Sequence, residues 1–104
     1  MDTFAYVAPE SVAAAAAALA RPGARALAGG TDLVPQMTEG RRQVATVVDL
    51  KRIPELTRIE ASADGSLRIG AAASCARVAR HPFVATHLPG LAEACRLVGS
   101  LQIQ

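Results

Sequence analysis

Apolar residues arrive in short clusters along this chain, and the spacing within each cluster predicts the element it forms. Phe4-Ala5-Tyr6-Val7 is a compact extended run; Pro9 ends it and prepares a helix with Glu10 in the first turn. SVAAAAAALA follows as a strong helix former and closes at Arg21-Pro22-Gly23. Arg25 to Ala28 is extended and apolar, Gly29-Gly30 breaks it, and Thr31 to Glu39 predicts a second helix that Gly40 ends. VATVVDL, Val44 to Leu50, is rich in β-branched residues and bounded by turns, the pattern of a strand.

Beyond Lys51-Arg52-Ile53-Pro54, the alternating runs LTRIEAS and LRIGAAAS flank Asp64-Gly65, which signals a hairpin. Ser74 is placed to cap a short helix, CARVARH, that Pro82 interrupts. A further helix runs through GLAEACRLVG, with Leu91, Ala94, Cys95 and Val98 on one face, and SLQIQ reads as the start of a strand. The pattern is α+β: a small βαβαβ zone over residues 1–54, then the start of a second α/β zone over residues 55–104.

Composition narrows the class. The 104 residues suffice for a small fold, and 51% hydrophobic against 19% charged residues excludes a disordered chain. Aromatics make up only 3%, namely Phe4, Tyr6 and Phe83, so the interior is built from small aliphatic side chains. The net charge of +2 comes from scattered arginines, with Arg41-Arg42 and Lys51-Arg52 as the only adjacent basic pairs, which argues against nucleic-acid binding. Cys75 and Cys95 form no CxxC motif and no ligand set with His81 and His87, so two free thiols in a reducing cytosol are expected, with no metal site. MDTFAYVAPE lacks the basic flank of a secretory signal, and the alanine run, at about 1.5 Å per helical residue, falls short of a bilayer core of roughly 30 Å. A soluble, cytoplasmic protein without membrane insertion is the expectation.

Gly29-Gly30-Thr31 is where candidate chemistry concentrates. A strand ending in glycines before a helix exposes unpaired backbone N–H groups that favour an anion such as phosphate, and glycine lets a ligand approach the backbone. The Walker pattern, which needs a lysine, and the GxGxxG fingerprint are both absent. An ordinary tight connection with Thr31 as helix cap accounts for the turn equally well, and the Asp32 carboxylate opposes a phosphate unless it caps backbone amides and points away. Ser74, Ser100, Glu93, Asp32 and Asp49 have no evident catalytic pairing, His81 and His87 read as surface histidines, and Arg41-Arg42 reads as a solvated loop pair. No residue is assigned a catalytic role.

Four stretches taken in order, ALAGGTDLVPQM, VVDLKRIPEL, LRIGAAAS and LPGLAEACRLVGSLQIQ, resemble the FAD-binding medium subunit of the xanthine dehydrogenase and carbon monoxide dehydrogenase (molybdenum hydroxylase) family. The resemblance covers essentially the whole chain and implies a PCMH-type FAD-binding fold. It implies that Leu27, Ala28, Gly29, Gly30, Thr31, Asp32 and Leu33 form the first FAD loop, with backbone amides and the Thr31 hydroxyl toward the phosphates. Val98 matches a region that approaches the flavin, whereas the glycine and small residues of RIGAAAS are family-like but also suit simple sheet packing. The implied partners are a molybdopterin-containing large subunit and an iron-sulfur small subunit, with FAD passing electrons to an acceptor such as NAD or a quinone.

Two departures from the family pattern carry expectations. Gln104 stands where members usually have a basic residue, and the second glycine loop, of the TxGGN type, and the C-terminal domain are not among these residues. The chain is therefore expected to be an N-terminal portion of a medium subunit, inactive in isolation. The alternative is a non-enzymatic α/β module that keeps the fold without binding FAD alone. A flavin enzyme outside the molybdenum family fits VVDLKRIPEL and LPGLAEA less well.

Overall fold

The β-branched run at Val44 to Leu50 forms β3, Thr46–Asp49, the middle strand of a three-stranded sheet ordered β1-β3-β2. The computed structural model describes residues 1–104, which divide into two units, Met1–Glu55 and Leu56–Gln104. In the first unit, β1 (Ala5–Val7) and β2 (Ala24–Leu27) each pair with β3 in parallel. Parallel strands cannot be joined by a tight turn: α1 (Val12–Leu19) carries the chain from β1 to β2 at the opposite edge, and α2 (Leu33–Thr38) carries it from β2 back to its neighbour β3. Val47 and Val48 alternate to opposite faces of β3 yet are 3% and 0% exposed, so the strand is covered on both sides. Each such burial contributes about 1.5–3 kcal/mol as an upper bound.

α1 begins where Ser11, in extended geometry, accepts the Ala14 N–H at 3.1 Å on its hydroxyl. Glu10 therefore precedes the cap and does not lie in the first turn, because the serine oxygen supplies the acceptor that starts the helix. A second correction concerns α2. Its cap position is Asp32, not Thr31, and no side chain caps it; the Val34 N–H instead reaches the Gly30 carbonyl at 3.1 Å. The short helix α3 (Pro54–Thr57), absent from the sequence-based expectation, carries the chain from one unit into the other.

In the second unit, β4 (Ile59–Ala61) and β5 (Leu67–Ile69) form the expected antiparallel hairpin. Asp64 Oδ1 fixes its turn by accepting the Ser66 hydroxyl at 2.6 Å and the Ser66 N–H at 2.9 Å. Three helices follow: α4 (Cys75–Arg80), α5 (Pro82–His87) and α6 (Pro89–Leu97). Ser74 caps α4 through the Arg77 N–H, as its position predicts. Pro82 does more than interrupt: it opens α5, since proline lacks the N–H that a first helical residue leaves unpaired, and His81 Nδ1 accepts the Phe83 N–H at 3.2 Å.

The core of this unit is Val78, Ala79, Val84, Ala92 and Cys95, with Ile59, Leu67, Ala73 and Cys75 packed against it. α6 departs from the expected face in part: Cys95 is buried as expected, with Ala92 beside it, whereas Leu91, Ala94 and Val98 are exposed. The small side chains face inward, letting α6 lie close against Val78 and Ala79 of α4. SLQIQ is a turn, not a strand. Gln104 Nε2 donates to the carbonyls of Arg96 and Val98 at 2.6 and 3.0 Å, and Gln104 O accepts the Ala76 N–H at 2.9 Å. The amide satisfies carbonyls that the end of α6 leaves open, work a basic side chain also does at helix C-termini.

Candidate functional site

The turn between β2 and α2 is built from its two ends inward. Leu27 and Leu33 pack on the buried cluster of Met37, Val44 and Val47. They also line an apolar pocket of about 140 Å³ together with Phe4, Tyr6 and Val34. These two anchors hold the ends of the turn while Gly29, Thr31 and Asp32 are exposed between them. Gly30 takes φ +76, a conformation that side chains with a Cβ resist, and a Cβ there would stand 3.0 Å from Leu27 Cδ1 and 3.2 Å from Val34 Cγ2. Gly29 differs: its φ is not left-handed, and a Cβ would meet nothing within 4 Å.

Within the turn, the N–H groups of Gly29, Gly30, Thr31, Asp32 and Leu33 donate to no acceptor in the chain. Successive free amides on a glycine turn form a concavity suited to an anion. Asp32 neither caps these amides nor stands free, since its Oδ2 accepts Gln36 Nε2 at 2.8 Å.

A polar network lies behind the turn. Asp49, at the end of β3, is 7% exposed; its Oδ2 accepts the Tyr6 hydroxyl at 2.5 Å and its Oδ1 accepts the Lys51 N–H at 3.0 Å. Lys51 Nζ pairs with Asp49 Oδ1 at 2.9 Å and donates to the Ala28 carbonyl at 2.6 Å. Burial pushes the Asp49 carboxyl up, but the Tyr6 hydroxyl and the Lys51 N–H and ammonium outweigh it, leaving its pKa at about 2. The same contact raises the Tyr6 phenol, because losing its proton would put two anions side by side. Asp49 has no pairing legible in the sequence, and the structure supplies one. Its partner Tyr6 lies 43 residues away, and no local motif signals the contact.

Other candidate residues have structural roles. Ser74 is a helix cap, Ser100 accepts two N–H groups in the final turn, and Glu93 is exposed. Arg41 and Arg42 bind Glu39 and Gln36 on the surface. The His87 and Phe83 rings pack in a tilted arrangement with centroids 4.7 Å apart, and both cysteines are free. The glycine of RIGAAAS is a packing residue: a Cβ on buried Gly70 would fall 2.4 Å from the Leu56 backbone. Leu27 to Leu33 thus form one continuous turn in the first unit, whereas Val98, the C-cap of α6, belongs to the second. No helix is long and apolar enough to cross a membrane.

The family described as FAD binding domain in molybdopterin dehydrogenase matches residues 2–104. The carbon monoxide dehydrogenase medium chain of Hydrogenophaga pseudoflava is 38% identical over 103 residues, 97% of this chain and 36% of that one. The xanthine dehydrogenase FAD-binding subunit of Escherichia coli O157:H7 is 35% identical over 83 residues, covering 80% of this chain and 28% of the subunit. Among solved structures, the Hydrogenophaga pseudoflava carbon monoxide dehydrogenase lacking the Mo-pyranopterin moiety superimposes with a TM-score of 0.91 at 36% identity, over 98% of this chain and 36% of that chain. Quinoline 2-oxidoreductase from Pseudomonas putida 86 gives 0.90 at 33% identity, with the same coverage of 98% and 36%. The chain spans about a third of the length of these relatives. With the family matched across nearly every residue, this chain belongs to the FAD-binding domains of the molybdopterin dehydrogenases.

Proposed function

We propose that the chain binds FAD on the turn from Leu27 to Leu33 and works as part of the flavin-bearing subunit of a molybdenum hydroxylase. The observation that carries this reading is the run of unpaired N–H groups from Gly29 to Leu33, with open space where a Gly29 side chain would stand. The fold itself does not demand glycine at that position, and close approach of a diphosphate does. The exposed Thr31 hydroxyl adds a donor, and the Gln36 contact ties the Asp32 carboxylate to α2. The residues present therefore fit the group.

FAD, when bound, supplies hydride and one-electron transfer. The chain's own residues have a narrower task. Amides on the turn hold the phosphates, Leu27 and Leu33 keep the turn fixed against the sheet, and Gly29 leaves the approach open. The reading extends to an iron-sulfur small subunit as electron donor, a molybdopterin large subunit as the place of substrate oxidation, and NAD or a quinone as acceptor. Val98 is proposed as a contact nearer the flavin.

The test is a flavin absorption titration of the unchanged protein and of Gly29→Val. Gly30 is the wrong position to change, because a side chain there strains the fold directly. Saturable binding by the unchanged protein and at least about tenfold weaker binding by a folded Gly29→Val, about the loss of one charge-assisted hydrogen bond, is the expected result. An unperturbed flavin spectrum with the unchanged protein would favour the other reading, a non-enzymatic module that keeps the fold without the cofactor.

A further inference from the structure

Lys51 makes its shortest contact not with its carboxylate partner but with a backbone carbonyl, 2.6 Å away on Ala28 and 23 residues back in sequence. That carbonyl belongs to the peptide unit whose other end is the Gly29 N–H. We infer that Lys51 is a positioning residue of the cofactor turn: held by Asp49, it pins the Ala28 carbonyl and thereby aims the Gly29 N–H at the anion. This rests on the assignment of the Leu27 to Leu33 turn to FAD.

The argument begins with peptide geometry. The chain has no cis peptide bond, and in a planar trans peptide the N–H points opposite to the C=O. A carbonyl drawn toward Lys51 therefore turns the Gly29 N–H away from Lys51. A cation on the carbonyl also polarises the amide and makes its N–H a stronger donor, because hydrogen bonds in series reinforce one another. Gly29 has no side chain and no N–H partner, and the preceding peptide is held by the Leu50 N–H on the Leu27 carbonyl at 2.9 Å, so the Lys51 contact is the one hydrogen bond that acts on the Ala28–Gly29 peptide itself.

Lys51 is itself held in place. Asp49 Oδ1 fixes its ammonium at 2.9 Å, and Asp49 is fixed in turn by the Tyr6 hydroxyl and the Lys51 N–H. The Asp49 side chain is 10% exposed and the Lys51 side chain 47%. An ion pair at that exposure contributes little to stability by itself. With Asp49 already accepting two other hydrogen bonds, the ammonium's distinctive partner is the Ala28 carbonyl. Tyr6, Asp49 and Lys51 thus connect the end of the sheet to one peptide of the turn.

The experiment uses the unchanged protein, Lys51→Met, which keeps the chain length but loses charge and donor, and Lys51→Arg, which restores both. Two readouts are taken: the amide resonance of Gly29 in isotope-labelled protein free of ligand, and the FAD dissociation constant from the absorption titration. Lys51→Met should move the Gly29 resonance and weaken FAD by about tenfold, with Lys51→Arg recovering most of both. A direct attraction between the lysine charge and the phosphates would weaken binding while leaving the ligand-free resonance in place, and that outcome would overturn the positioning role. Equal FAD binding by the unchanged protein and Lys51→Met would overturn the inference and leave the site assignment standing. Failure of the unchanged protein to bind FAD would remove the site assignment and this inference together. Thermal unfolding of each variant separates these results from loss of fold, and Tyr6→Phe, which loosens Asp49 without touching the ammonium, should reproduce the resonance shift in weaker form.

Discussion

Tyr6 reaches across from the edge strand β1 to donate its hydroxyl to Asp49 at the end of the central strand β3, over 2.5 Å. This bond ties a strand whose residues are otherwise exposed to one that is buried. It also sets an acid limit on the fold. The Asp49 pKa is about 2 in the folded chain against 3.8 for the free group, so folding favours the carboxylate. The resulting stability is fully present above about pH 4 and is lost as the pH falls through about 2. Urea midpoints measured from pH 5 to pH 2 should fall across this window. Asp49→Asn should flatten the fall, and Tyr6→Phe should move it toward the free value of 3.8 by removing one of the bonds that favour the anion. A slope unchanged in Asp49→Asn would show that another carboxylate governs the acid side.

The two glycines of the turn should separate cleanly by stability. Gly30→Ala puts a Cβ at φ +76, 3.0 Å from Leu27 Cδ1 and 3.2 Å from Val34 Cγ2. The left-handed backbone alone costs an L residue about 1–2 kcal/mol. Gly29→Ala meets no neighbour within 4 Å at an ordinary φ, and its effect should stay within about 0.5 kcal/mol. Denaturant unfolding of the pair checks this, and equal losses would contradict the turn geometry.

What could be read in advance divides by range. The Asp64-Gly65 hairpin and the Ser74 cap rest on side chains that bond within three residues, so their chemistry is written locally. β3 was readable because a strand covered on both faces needs an unbroken β-branched run. The turn at Gly29-Gly30 was visible as two glycines, but composition could not distinguish Gly30, which the backbone requires, from Gly29, which it does not. Asp49 was opaque for a different reason: Tyr6 becomes its neighbour only once a parallel sheet brings β1 beside β3. The face of α6 is only partly legible: Cys95 is buried as its spacing predicts, but the bulkier Leu91 and Val98 stay exposed, and close packing against α4 selects the smaller Ala92 beside Cys95. The final residues form a turn because Gln104, whose side chain donates to the carbonyls of Arg96 and Val98, closes them back onto the end of α6, a contact no local pattern signals.

Gly70 predicts a heavier cost than either glycine of the turn. It is buried, its N–H donates to the Arg58 carbonyl at 2.8 Å, and a Cβ would lie 2.4 Å from both the carbonyl carbon and the oxygen of Leu56. Those atoms belong to backbone that also accepts the Ala72 N–H at 2.8 Å, so neither side can yield without breaking a hydrogen bond. Gly70→Ala should destabilise by about 3 kcal/mol, the range of an overpacked core. A loss below about 1 kcal/mol, within the range of ordinary substitutions, would mean the strand end shifts freely.

The two thiols should react at different rates. Cys95 is 8% exposed, and burial, followed by the neighbouring Cys75, raises its pKa, so little reactive thiolate forms near neutral pH. Cys75, the first residue of α4, is half-buried. With a thiol-specific disulfide reagent in excess at pH 8, one equivalent should react promptly and the second at least about tenfold more slowly, on opening of the α4 and α6 packing. Cys75→Ser should abolish the fast phase and leave the slow one, and urea should merge the two phases in the unchanged protein by exposing Cys95. Equal rates in the folded protein would show that α6 leaves α4 readily and that Cys95 is not held in the core of the second unit.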